Sequence, residues 1–124
     1  MNLATTYPPE AGVKRWMREV SLNRSAGTVR LSETFELARS VPVELSFMTS
    51  RTPSNANGVV TFHSTQDGAK DVTLKYDAAA LHFTLDKIEL EDEGMRRTWG
   101  SALYRVRLHT TQDVSAGQWS FEIA

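Results

Sequence analysis

The stretch "WMREVSLNRSAGTVRLSETFEL", residues 16–37, decides the fold. Trp16, Arg18, Val20 and Leu22 share one face of an alternating run. Val29, Leu31, Glu33, Phe35 and Leu37 share one face of the next. Between them "NRSAG" supplies Asn, Ser and Gly, the residues tight backbone needs. Folding there so that both apolar faces coincide pairs Leu22 with Val29, Val20 with Leu31 and Trp16 with Phe35. A slip of one residue would turn one apolar set outward, so the parity is strongly specified. The same register sets Arg18 opposite Glu33, the single charged misfit on each face. We therefore expect a partly buried ion pair with a structural rather than catalytic role.

The same grammar runs outward through the chain. Period-two runs fall at about 14–22, 28–37, 42–49, 58–64, 71–76, 80–85, 87–91, 98–110 and 117–123. They are separated by "NRSAG", "RTPSNANG", "TQDGAK", "DAAA", "EDEG" and "DVSAG". β-branched and aromatic residues fill the runs, and no segment carries a helical stripe. The chain is read as all-β, a two-layer antiparallel β-sandwich of about eight to nine strands. Residues 1–13, with Pro8 and Pro9, read as an extended N-terminal arm, and 14–124 as one sandwich domain. In the last two runs, apolar matching across "DVSAG" pairs Leu108 with Trp119, Val106 with Phe121 and Tyr104 with Ile123.

Composition excludes several functions. The net charge is −1 over 124 residues, which gives no global field for nucleic acid or anionic lipid. There is no cysteine, hence no disulfide or thiolate metal site. No apolar run approaches membrane-span length, and "MNLATTYPPEAG" has neither a basic n-region nor an apolar h-region. His63, His82 and His109 lie on three separate runs without ligand spacing, so they read as solvent-face or hydrogen-bonded histidines rather than metal ligands. No nucleophile elbow or phosphate loop is present. The acidic run Glu89, Glu91, Asp92, Glu93 reads as a solvated strand end and turn rather than a calcium or glycosidase site. No catalytic residue, metal ligand or cofactor is assigned.

What remains is "RRTWGSALYRVRL", 96–108. Alternation sends Tyr104, Val106 and Leu108 inward and gives Trp99 the parity of Arg105. Trp99 with Arg96, Arg97 and Arg105 is thus the candidate contact surface. Its partner is an acidic sugar or a neighbouring domain, with the domain favoured over the sugar.

Several segments, in order, resemble the C-terminal part of heparinase II/III-like proteins: "TTYPPEAG" (5–12), "WMREVSLNR" (16–24), "SETFEL" (32–37), "SFMT" (46–49), "WGSALYRVRL" (99–108) and "WSFEI" (119–123). The likeness spans nearly the whole chain. It implies a bacterial polysaccharide lyase, periplasmic or secreted, that cleaves uronic-acid-containing glycans by β-elimination. In that family an (α/α) toroid precedes an antiparallel β region. The catalytic tyrosine and histidine motifs match no position here. The resemblance therefore implies a non-catalytic C-terminal β-domain, inactive alone, partnered by the (α/α) catalytic domain and by acidic polysaccharide. The rival expectations are an autonomous carbohydrate-binding module, which needs Trp99 exposed, and a ligand-free structural domain.

Overall fold

The computed structural model describes residues 1–124. Its elements are β1 (Val13–Asn23), β2 (Thr28–Val41), β3 (Glu44–Thr49), β4 (Pro53–Ala56), β5 (Val59–Phe62), β6 (Val72–Lys75), β7 (Leu81–Glu89), α1 (Glu93–Trp99), β8 (Ala102–Thr110) and β9 (Val114–Ile123). They form two antiparallel sheets, ordered β1-β2-β9-β6-β5-β4 and β3-β8-β7. This is the two-layer sandwich that the alternation implies.

The first hairpin has the expected register: Leu22 opposite Val29, Val20 opposite Leu31, Arg18 opposite Glu33, Trp16 opposite Phe35. The Phe35 ring stacks on Trp16 at 4.8 Å and tilts against Trp119 at 4.9 Å. It can do so because its neighbour on β9 is Gly117, where a Cβ would come within 2.7 Å of the ring. The core continues through Leu45, Val60, Leu74, Val106, Leu108 and Phe121. Phe47 meets Phe121 edge-on at 5.8 Å and so joins the two layers. At the far end of the hairpin Val20 and Leu22 remain exposed, while Leu31 opposite Val20 still packs against the core.

The second expected hairpin is corrected. β8 pairs with β3 and β7, setting Leu108 opposite Leu45 and Phe83. β9 pairs with β2 and β6. Residues 111–113 carry the chain from one sheet to the other. Val106, Leu108, Trp119 and Phe121 are all buried, but they meet across the core rather than side by side. Alternation identifies the inward face and leaves the neighbouring strand undetermined. A second corner lies beside this one, where β2 passes into β3 through Pro42. Val41 pairs with Val114, and Val43 N–H donates to the Thr110 hydroxyl at 3.0 Å. That bond accounts for the burial of a polar threonine.

Four smaller expectations also change. The break "RTPSNANG" contains β4, closed onto β5 by Asn57-Gly58 with φ of 49° and 79°, the left-handed pair of a type I′ hairpin turn. The two runs 80–85 and 87–91 are one strand, β7. "EDEG" opens α1, whose N-cap Asp92 accepts the Met95 N–H at 2.9 Å. The N-terminal arm is not simply extended. It makes two 3-10 turns at Ala4–Thr6 and Pro9–Ala11. It also lies along the free edge of β1, with Leu3 N–H on Trp16 O at 2.7 Å and Arg18 N–H on Met1 O at 2.8 Å.

Candidate functional site

α1 joins the end of β7 to the start of β8, so Trp99 stands at one end of the sandwich instead of on a strand beside Arg105. Gly100, at φ 93°, stops the helix and turns the chain toward β8. Trp99 is 51% exposed, whereas Trp16 and Trp119 are 6% and 8% exposed. It borders a cleft of about 450 Å³, the size of an ordinary small-ligand site. Three separate segments close this cleft: Ser50–Thr52 after β3, Ser64–Gln66 after β5, and Trp99–Ala102 with Tyr104. Its walls offer hydroxyls, an amide, two aromatic rings and the Arg51 guanidinium, and no carboxylate lines it.

Arg51 is anchored. Its Nη1 donates to the Lys70 carbonyl at 3.2 Å and its own N–H to the Thr49 hydroxyl at 3.0 Å. It takes part in none of the ion pairs of the molecule. The acid nearest to consider is Asp71, whose oxygens are already engaged. Oδ1 accepts the Ser64 N–H at 2.7 Å and Oδ2 faces His63 Nδ1 at 3.2 Å. The Ser64 N–H above all holds the Asp71 carboxyl below the usual aspartate range; desolvation opposes it, and His63 and the charge of Arg51 add smaller lowering effects.

The arginines of the candidate surface separate. Arg96 and Arg97 occupy the last turn of α1, with Arg97 3.9 Å from Glu93. Arg105 lies on the outer face of the three-stranded sheet, with Nε and Nη2 at 3.0 and 2.9 Å from Asp86 Oδ2. Arg107 Nε is 3.0 Å from the same oxygen without a hydrogen-bond partner, and Arg107 Nη1 is 3.8 Å from Glu44. Trp99 and Arg105 therefore face different surroundings. Arg18 and Glu33 meet as a pair: Arg18 Nε donates to Glu33 Oε1 at 2.5 Å, and the Trp16 indole N–H donates to Oε2 at 2.6 Å.

The histidines also sort themselves. His82 and His109 sit opposite each other on β7 and β8, rings 5.4 Å apart, and His109 Nε2 meets the Thr84 hydroxyl at 2.9 Å. His63 lies between Ser54 Oγ at 2.7 Å from Nε2 and Asp71 on Nδ1. That order matches a serine–histidine–acid relay in its hydrogen bonds. All three side chains are exposed on the open outer face of the six-stranded sheet, where water competes for every bond. We assign the relay to clamping β4, β5 and β6. No three His, Asp or Glu side chains gather as a metal site. No helix is long and apolar enough to cross a membrane.

Sequence reasoning missed Arg51, Ser64 and Gln66, because the cleft is built from segments far apart in the chain. The one local signal was the Asn-Gly turn, which would have placed β4 and hence the flanking loop. Neither a protein-family model nor a curated protein matches the chain.

Proposed function

We propose that this chain is the non-catalytic β-sandwich part of a heparinase II/III-like polysaccharide lyase, which packs beside the (α/α) catalytic domain and frames the path of a uronic-acid-containing glycan. The observation that carries this reading is the exposure of large apolar side chains on the outer face of the three-stranded sheet and on α1. Met48 and Ile88 on its outer face are 54% and 37% exposed, and Met95 on α1 is 44% exposed. A large neighbouring surface would cover such side chains. The ordered resemblance supplies the family, and its segments furnish the framework residues Trp16, Glu33, Phe35, Trp119 and Phe121, all buried.

The test is turnover. The chain is incubated with heparan, alginate and related acidic glycans, and the absorbance of the unsaturated uronate product is followed. The chain alone is expected to give none. Clear product formation would overturn the non-catalytic assignment.

A further inference from the structure

We propose that the cleft beneath Trp99 is a binding subsite for one acidic sugar ring of a glycan chain, stacked on the indole and held through its carboxylate by Arg51. The inference takes the glycan of the reading above one step further, to a specific place and chemistry.

Three independent features converge on it. The first is the exposure of Trp99. Indole is a large apolar surface with a polar N–H, and placing half of it in water has no packing advantage here. The apolar C–H face of a pyranose is the complementary shape, and Trp99 and Tyr104 both border the same cleft. The second is the wall chemistry. Ser50, Thr52, Ser64, Thr65, Ser101 and the Gln66 amide donate and accept hydrogen bonds, as the alternating hydroxyls of a sugar require. A purely apolar partner would leave these groups unpaired, apart from the Ser64 hydroxyl, which already bonds to the Gln66 backbone.

The third is charge. Arg51 is the one ionised group lining the cleft, and it has no carboxylate partner. The contact with the Lys70 carbonyl fixes the guanidinium while leaving other N–H groups free for a planar oxyanion. Asp71 stays near but directs its oxygens to Ser64 and His63. A neutral sugar would satisfy Trp99 and the hydroxyls but not Arg51, so the acidic class is the one the site fits.

The experiment is isothermal calorimetry of the full chain with a tetrasaccharide of uronic acids and with a neutral tetrasaccharide of equal length. Trp99→Ala and Arg51→Ala should each weaken the uronate oligosaccharide by about tenfold or more. Trp99→Phe, which keeps a stacking face, should stay within a few-fold of wild type. Arg51→Lys, which keeps charge without the planar fork, should fall between wild type and Arg51→Ala. Circular dichroism of each variant confirms the fold. Wild-type tryptophan emission should shift on binding, because Trp99 is the exposed indole. No binding of the uronate oligosaccharide, or binding unchanged in Trp99→Ala and Arg51→Ala, would overturn the subsite. Equal affinity for the neutral oligosaccharide would overturn its acidic specificity. Failure here differs from failure of the non-catalytic assignment, which shows as turnover by the chain alone.

Discussion

The Nε–H of Arg18 lies 2.5 Å from Oε1 of Glu33, whose side chain has no exposure at all while that of Arg18 keeps 36%. The pair is therefore asymmetric: the anion is fully desolvated and the cation half anchors it from the rim. Removing Arg18 leaves a buried carboxylate with only the Trp16 indole N–H as partner. Arg18→Ala should cost about 3 kcal/mol, the lower end for a broken buried pair because water can reach the vacated side. Arg18→Met with Glu33→Leu should recover most of that loss, since no charge is then left stranded. Urea unfolding of the three proteins checks both statements. Equal midpoints for wild type and Arg18→Ala would show that the pair adds nothing.

Gly117 is fixed by the Phe35 ring lying over it. A Cβ there would sit 2.7 and 2.8 Å from two ring carbons, inside any tolerable contact. Gly117→Ala should destabilise by about 1–3 kcal/mol, the usual range for overpacking a filled core. Adding Phe35→Leu to Gly117→Ala should cost less than the sum of the two single changes, because the smaller side chain vacates the contested space. Thermal unfolding of the four proteins of this cycle gives the coupling directly. Additive losses would mean that the ring and the glycine do not meet.

These two sites also show what the residues disclose in advance. Both strands of the first hairpin alternate cleanly and each carries one charged misfit, so face and register are specified together. The run containing Val106 and Leu108 and the run containing Trp119 and Phe121 alternate equally well. Their pairing is not specified, because an apolar face can be matched beside its strand or across the core. Helix α1 is two turns long, too short to display a 3.6-residue period, and only Asp92 marks its start. Asn57-Gly58 was a readable hairpin signal inside a stretch otherwise full of loop residues. Arg51 and Trp99 are brought to one cleft by tertiary folding alone, which no local pattern encodes.

Acid should weaken the clamp between β5 and β6. Asp71 has a carboxyl pKa lowered by the Ser64 N–H and by His63 and Arg51. A depressed folded pKa means that the unfolded chain binds the proton more readily. The contribution is then complete above the unfolded value of about 3.9 and disappears as pH falls through the lower folded value. Asp71→Asn keeps an oxygen for the Ser64 N–H and removes the titration. Its urea midpoint should therefore fall less steeply than that of wild type below about pH 4. Parallel curves for the two proteins would assign the acid sensitivity to other carboxylates.

Asp92 controls Trp99 through the helix between them. Seven residues are too few to hold an α-helix by propensity, so the cap bond to Met95 N–H bears unusually on whether α1 forms. Asp92→Ala should remove about 1 kcal/mol of local stability, and Asp92→Asn, an equally good cap, should restore it. The loss should appear mainly as local opening, because α1 buries none of its residues and the core does not depend on it. Amides 95–100 should then exchange faster in Asp92→Ala while the unfolding midpoint scarcely moves. Trp99 would lose its fixed place at the cleft, and its fluorescence anisotropy should fall. A drop in global stability with unchanged exchange at 95–100 would mean that Asp92 supports the sandwich itself rather than the helix that presents the indole.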